Sequence, residues 1–563
     1  MASPDLTLVT RTDLEEFVPT NPGQYADLTD FLDENRVERV TDDWPAYQRA
    51  RATGKPVYIP AGDFWFMQSL AHGDGSVLRG AGKRKTVLHI HDNAPASIGL
   101  ITNENLNGNT QAYFSDFTLD GNCYRQNGTL DAAGGSQSST LTFRNVKHFY
   151  VDRVESINAL LHGFDVTRGS IAYPYGGDGV LATLRSSDVY FDKIEASNFG
   201  DDGFTVHSSD FVHVSNSIFR DPRKRTNNNG IEFDGDSRFC TSTNNRTYNC
   251  YAGIEIKGHE NESAGQHMVI NGHIDTGSVR SYNFRHIGFH SGSDPVSTTA
   301  QNIIASNLVS IHPNNDGLFQ DDAGVRSLVI SAYVGVTING FTSIGRGDLA
   351  AIDCAVALQF KSRGINLNGV NISGWVGSDR DISITTGSKV NISNVFVHDS
   401  GARAVYTSAG VSGINITNLI AEGGASGLHG IDIWDIGAAN ITNSTCTGYS
   451  NAAIREGGVN FSSLESFNRR TYPVPSNVTQ LIDLDPTRDY YASPSVFTTL
   501  TDRPTGHTGG HFVTHSRVSG GICMQTIFRN TTTPADQYQA WRRVDIIGKG
   551  AGPWNVASFT QAT

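Results

Sequence analysis

Basic charge is the first thing this sequence is short of. Its 43 Lys and Arg are outnumbered by 56 Asp and Glu, giving a formal net charge of −13. No broad cationic face is therefore available for duplex DNA or RNA, and strongly anionic polymers are repelled at long range. Long apolar runs are missing as well. The opening Met1-Ala2-Ser3-Pro4-Asp5-Leu6-Thr7 has neither the basic nor the apolar stretch of a secretory signal, and nothing approaches the roughly 18 apolar residues of a membrane span. The expectation is a chain that inserts in no membrane, is made in a cytoplasm and leaves by a route other than secretion. The six Cys (Cys123, Cys240, Cys250, Cys354, Cys446, Cys523) include no Cys-x-x-Cys spacing, which points to dispersed structural thiols and to no metal or cofactor held by them. Helical periodicity is scarce too. With 59 Gly, 18 Pro and many short apolar runs between Asn, Asp and Ser turns, the composition favours an all-β or solenoid fold.

What is present is one short pattern written three times. Gly203-Phe204-Thr205-Val206-His207, Gly230-Ile231-Glu232-Phe233-Asp234 and Gly253-Ile254-Glu255-Ile256-Lys257 each open on Gly. Apolar residues follow at the first and third positions, polar ones at the second and fourth. That period of two predicts strands with one buried and one wet face.

From about residue 110 to 465 an apolar strand carrying a polar Asn or Asp recurs, at Asp116, Asp152, Asp192, Asn216, Asn245, Asn271, Asn307, Asn339, Asn368, Asn394, Asn418 and Asn443. The steps from Asn368 to Asn394, Asn418 and Asn443 are 26, 24 and 25 residues. A repeat of that length without helical period is one coil of a parallel β-helix, and its Asn side chains can stack in ladders. The expected fold is all-β, a single-stranded parallel solenoid of about 12 coils. Several Asn (Asn371, Asn391, Asn415, Asn440) also read as glycosylation sequons, but periodic solenoid positions account for their spacing.

Before the repeats, Asp42 or Asp43 can cap a short helix with Pro45 in its first turn, followed by a strand in Gly54-Lys55-Pro56-Val57-Tyr58-Ile59-Pro60-Ala61-Gly62. This entry, with Val77-Leu78-Arg79-Gly80-Ala81-Gly82 and Thr86-Val87-Leu88 after it, resembles the start of pectate-lyase-like right-handed β-helix proteins, bacteriophage tailspikes included. The resemblance implies right-handed coils, a homotrimer, a virion location with the N-terminus docked on a tail protein, and a polysaccharide partner on the bacterial surface. After Arg469-Arg470 the repeat stops, and Pro473, Pro475, Pro486 and Pro494 mark a linker. The runs Gly510–Thr514 and Met524–Phe528 then resemble the knob domains that end tail fibres. The domains expected are a lead-in over 1–40, the β-helix over 41–470 and a linker with a β-rich knob over 471–563.

Extending the register from the central strands gives two polar columns. One reads Asp165, Thr205, Glu232, Glu255, His290, the other Thr167, His207, Asp234, Lys257, Gly292, with Gln320 and Asp321 added by a strand at Gly317. With coils about 4.8 Å apart, Glu232 and Glu255 approach the roughly 5–5.5 Å of a retaining glycosidase pair, and the Asp234–Glu255 diagonal of about 8 Å suits an inverting pair. Stacked carboxyls cannot all ionise, so one pKa should rise and supply an acid beside a carboxylate. Glu232, Asp234 and Glu255 are the candidate catalytic residues. Lys257 would hold Asp234 ionised, His207 and His290 would orient substrate, and Asp201 and Asp202 at loop tips would bind sugar hydroxyls. Trp434, like Tyr406, would stack on sugar rings or pack in a trimer. A solvated polar ladder and a Ca²⁺ site are the other readings of the same acids. Asp201-Asp202 and Glu255-Ile256-Lys257 echo polygalacturonase motifs, but no Gly-His-Gly accompanies them, so a pectin-type mechanism does not carry over. The sequence thus predicts a tailspike depolymerase that hydrolyses glycosidic bonds of a capsule or O-antigen and needs no cofactor. A β-eliminating lyase on a uronate glycan and a non-catalytic glycan-binding adhesin are the alternatives.

Overall fold

The computed structural model describes residues 18–125, 138–170, 176–223, 227–315, 319, 324–425, 427–435 and 437–457, with short strands and isolated residues beyond. Residues 1–17, Gln320, Asp321, Asp322 and most of the proline-marked linker lie outside the described residues. The chain divides into two compact units, Met1–Arg346 and Gly347–Thr563.

The first unit opens on a helix, Trp44–Ala52, with Pro45 in its first turn. Asp43 holds the N-cap position without a side-chain cap, and the preceding Asp42 accepts from the Trp44 N–H through its Oδ1 at 3.0 Å. Asp43 faces inward instead, paired with Arg36 at 2.7 Å and accepting from the Trp65 N–H at 2.9 Å. The chain then coils as a right-handed parallel β-helix. One of its sheets stacks Leu70–His72, Ile101–Asn103, Leu141–Arg144, Phe164–Thr167, Phe204–His207, Ile231–Asp234, Ala252–Gly258, Arg280–His286 and Arg326–Ser331, every pairing parallel. Their inward side chains, Phe204, Val206, Ile231, Phe233, Ile254, Ile256, Tyr282 and Phe284 among them, are buried. Each fully buried side chain of this size contributes roughly 1.5–3 kcal/mol, so stacking neighbours, and not any single coil, sustains the core.

The recurrent Gly of the sequence pattern is explained by how tightly the rungs meet. A Cβ on Gly203 would lie 2.8 Å from the Gly230 carbonyl oxygen, one on Gly230 2.9 Å from that of Gly253, and one on Gly253 2.6 Å from that of Ser281. Glycine holds the column over these three rungs, and Ser281 takes the place on the next.

The polar Asn/Asp series marks a corner of the coil. Asp116, Asn216, Asn307, Asn394, Asn418 and Asn443 all have φ between 47° and 66°, the left-handed region that Asn and Asp tolerate best among residues with a Cβ. The other members sit one residue away from such a position, as Asp192 does beside Lys193 and Asn271 beside Gly272.

In the second unit the rungs Ile382–Ile384, Arg403–Thr407, His429–Ile433 and Ala452–Glu456 are parallel, and Val459–Phe461 closes the stack antiparallel. The expected asparagine ladder is present. Asn394 donates to Asn368 at 2.8 Å, Asn418 to Asn394 at 3.0 Å and Asn443 to Asn418 at 2.7 Å. A second ladder joins Asn366, Asn391 and Asn415 at 2.7 and 2.8 Å. Further on, His511–Ser519, Ile522–Arg529 and Tyr538–Asp545 form an antiparallel meander. Five cysteines, Cys123, Cys240, Cys250, Cys354 and Cys446, are buried free thiols.

Candidate functional site

Strand register brings the predicted carboxylates together. Asp165, Thr205, Glu232 and Glu255 occupy one column on successive rungs. The next place belongs to Asn283, not His290, because the rung ends at His286 and His290 lies in the connection after it. Likewise His207 opposes Asp234, and Lys257 opposes Arg285, so Arg285 stands where Gly292 was expected. The sequence spacing misled here because Gly288 and Gly292 lie outside any strand, whereas the true rung opens on Arg280.

The second correction concerns exposure. These polar side chains point away from the apolar core, but they are not wet. Glu232 is 2 % exposed, Glu255 0 % and Lys257 6 %. Loops cover the flank. The segment around Gly177–Ala182 is tied across it, with Gly177 N–H donating to the Asn261 carbonyl at 2.6 Å, Gly179 N–H to Ser263 Oγ at 3.0 Å and Ala182 N–H to Asp236 at 2.8 Å.

Burial forces the charges into pairs. Lys257 Nζ lies 2.6 Å from Glu232 Oε2 and 3.6 Å from Asp234 Oδ2. Glu232 also accepts from Asn229 Nδ2 at 3.0 Å and Thr205 Oγ1 at 3.3 Å. Asp234 faces His207 at 3.9 Å and His259 at 4.0 Å. Glu255 is ion-paired with Arg285, which also donates to Asn227 at 2.9 Å. On the N-terminal side His162 lies 3.3 Å from Asp165 and 3.6 Å from both Asp201 and Asp202.

The protonation pattern follows. Burial opposes charge on Lys257, but Glu232, Asp234 and Glu255 around it hold its pKa well above the ordinary range. His162 is also raised well above its ordinary value, against burial, by its hydrogen bonds to Asp165 and Asp201. Asp234 resists burial and is lowered by Lys257, His207 and His259. Asp201 resists it through the His162 hydrogen bond. Asp202 goes the other way: burial, then the negative charges of Glu232 and Asp201, push it well above the carboxylate range. Glu262 is pushed up to about 8 by burial and by Asp234. The flank therefore holds two carboxyls with raised pKa, Asp202 and Glu262, among ion-paired ones that include Glu232, Asp234 and Glu255.

Two triads, His162/Asp201/Asp202 and Asp234/His259/Glu262, bring donor atoms within 4.8 Å of one another. A divalent ion at either would face a cation already seated there, the protonated His162 in the first and Lys257, 3.6 Å from Asp234, in the second.

Comparison with known proteins fits this architecture. Residues 36–255 match the family described as rhamnogalacturonase A/epimerase, pectate lyase-like. The chain is 42 % identical over 389 residues to the pre-neck appendage protein of Bacillus phage phi29, covering 68 % of this chain and 46 % of that protein. The crystal structure of the N-terminal fragment of phi29 gene product 12 superposes with a TM-score of 0.74 at 37 % identity, covering 79 % of this chain and 74 % of the fragment. The chain belongs to the pectate-lyase-like β-helix family of phage appendage proteins. It spans about half the length of the curated phage relatives it matches. The tailspike of E. coli phage HK620, at 12 % identity and a TM-score of 0.54 over 91 % of this chain and 84 % of its own, shares the fold.

Not every predicted residue of this appendage-family chain joins the cluster. Trp434 belongs to the second unit, exposed by 52 % with its N–H donating to Thr407 at 3.1 Å. Tyr406 is covered by Arg380, 4.1 Å above its ring. Conversely, His162, Asn229, Arg285 and Glu262 escaped sequence reasoning. For the first two a signal existed. His162, Asp202 and Asn229 each precede a column Gly, and their backbone carbonyls pair down the stack in that register. Glu262 sits in a turn with no periodicity to betray it.

Glu262 supplies a pH test. Its folded-state value near 8 lies above the ordinary 4.5, so the native protein retains a proton that the unfolded chain releases. The resulting stabilisation is complete below about pH 4.5 and lost as pH rises through about 8. Glu262→Gln is expected to flatten the decline of Tm between those pH values, gaining on the parent by a few kcal/mol at about pH 9. Parallel Tm–pH curves for the two proteins would refute it.

Proposed function

We propose that the chain is a tailspike-type depolymerase that hydrolyses glycosidic bonds of a bacterial surface polysaccharide, a capsule or O-antigen, laid along this flank. By family it is a virion tail component, and a homotrimer docked on the tail through its N-terminal region completes the reading. One observation carries the chemistry: Asp202, buried 3.6 Å from His162 and accepting from the Asn229 N–H at 2.9 Å, is pushed well above the carboxylate range by burial and then by the charge of the ion-paired Glu232. Glycoside cleavage needs one carboxyl to protonate the leaving oxygen and a second, ionised one to attack the anomeric carbon or activate water. Asp202 takes the first role and Glu232 the second. Lys257 and Asp234 fix the charge around Glu232, and Glu255 holds Arg285 at the groove. Asp202 thus moves from the sugar-binding role expected of it to general acid, and Glu255 from catalysis to positioning. Asp201, His207, His290 and Trp434 keep substrate contact as their proposed role, the last on the second unit.

A lyase would need a neutral base to remove a carbon-bound proton. Of its two candidate bases, Lys257 and His207, Lys257 holds its proton firmly, which leaves His207 as the residue a lyase would have to use. Digestion of purified capsular or cell-wall glycan separates the readings. Hydrolysis is expected to release reducing ends without new near-ultraviolet absorbance. An absorbance rise that tracks the reducing ends would mean β-elimination, and binding with no new ends would mean an adhesin.

A further inference from the structure

The same flank carries a second polar site toward the N-terminal rungs. Thr102, Thr142, Asp165, Thr205 and Glu232 follow one another in register. Thr142 therefore lies three rungs from Glu232, or about 14 Å at rung spacing. Beside it is a cavity of about 210 Å³ lined by Thr102, Thr142, Asn103, Ser69, Ser97 and Arg144.

Arg144 is the unusual member. It is only 9 % exposed, yet among the described residues its guanidinium makes no hydrogen bond and no ion pair. Burial lowers its pKa, and Asp165 opposes this only through space. Most of the side chain is covered, and its guanidinium opens into the cavity, where no protein group among the described residues meets it. The backbone is held firmly. Asn103 on the preceding rung clamps the Arg144 backbone at two points, Oδ1 accepting from its N–H at 2.8 Å and Nδ2 donating to its carbonyl at 2.9 Å. The backbone of Arg144 is thus fixed, and its side chain is an empty-handed donor fork in a cavity walled by three hydroxyl residues besides Thr102, namely Ser69, Ser97 and Thr142, by the Asn103 amide, and by Gly99 and Leu106.

We propose that this cavity is an oxyanion subsite of the groove, in which Arg144 receives a carboxylate or phosphate substituent of the bound glycan, two rungs from the rung that Asp202 opens and three from that of Glu232. The proposal rests on the reading of this flank as the glycan groove. It also sharpens the expectation from net charge: the protein repels polyanions at long range but recognises one anionic group at a defined distance from the acid, which fixes the register of cutting.

The test is binding to the full-length protein at low ionic strength, by calorimetry and thermal shift, with inorganic phosphate and acetate as separate probes. Saturable binding of one of them is expected, and which one binds more tightly names the substituent class. Arg144→Gln is expected to weaken that binding roughly tenfold or more, with Arg144→Lys intermediate because it keeps the charge but loses the fork. Without ligand, Arg144→Gln is expected to match the parent Tm, since the guanidinium has no protein partner to lose. Undiminished binding by Arg144→Gln, or no binding of either probe by the parent, would overturn the proposal. So would a lowered Tm in Arg144→Gln, which would make Arg144 a structural residue. None of these readouts requires bond cleavage, so they stand apart from any failure of the hydrolase reading.

Discussion

Asp202→Asn is expected to lower kcat by about 10²- to 10⁴-fold, the usual contribution of a positioned general acid, while leaving Tm at neutral pH unchanged. The two halves of this result come from one fact. Burial and the charges of Glu232 and Asp201 keep the Asp202 carboxyl protonated, so an amide of the same shape replaces a group that was already neutral. Oδ1 would still accept from the Asn229 N–H, now at 2.9 Å. Only the transferable proton disappears. A structural Asp202 would behave oppositely, with Tm falling and turnover following it. Full turnover in this variant would transfer the acid role to Glu262, the other neutral carboxyl of the flank.

The largest stability effect is expected from Lys257→Met. Its ammonium is 2.6 Å from Glu232 and 3.6 Å from Asp234, with all three side chains almost wholly buried. Methionine fills the space but strands two carboxylates, a loss of about 3–5 kcal/mol for breaking a buried ionic arrangement. The double variant Lys257→Met/Glu232→Gln should recover part of that loss, because one stranded charge is gone. Acidification should also recover part, because Asp234 has lost the cation that does most to hold its pKa down and takes up a proton more readily. Denaturant titration of the single and double variants checks this. Equal instability of the two would mean that Lys257 acts through packing and not through charge.

The fold was legible because its rule is local. A Gly that cannot carry a Cβ, alternating apolar residues and an Asn or Asp at a left-handed corner each leave a mark in one coil, and the coils repeat. Even the 24- to 26-residue steps reappear as hydrogen bonds between Asn394 and Asn368, Asn418 and Asn394, and Asn443 and Asn418. The alignment of Glu232 with Glu255 followed from the same regularity. The column failed at His290 because the irregular connection after His286 supplies Gly residues that imitate a rung start. Burial was not legible either. Period-two alternation separates the two faces of a strand, but what covers the polar face comes from loops such as 176–182, whose partners lie about 80 residues away in sequence. The same blindness hid Glu262 and the protonation of Asp202.

The glycine column has a consequence for how such a protein changes over time. At Gly203, Gly230 and Gly253 the rungs meet too closely for a Cβ, while the positions two and four after each glycine point away from the apolar core. Those outward side chains can therefore be exchanged one at a time, rung by rung, without disturbing the scaffold that displays them.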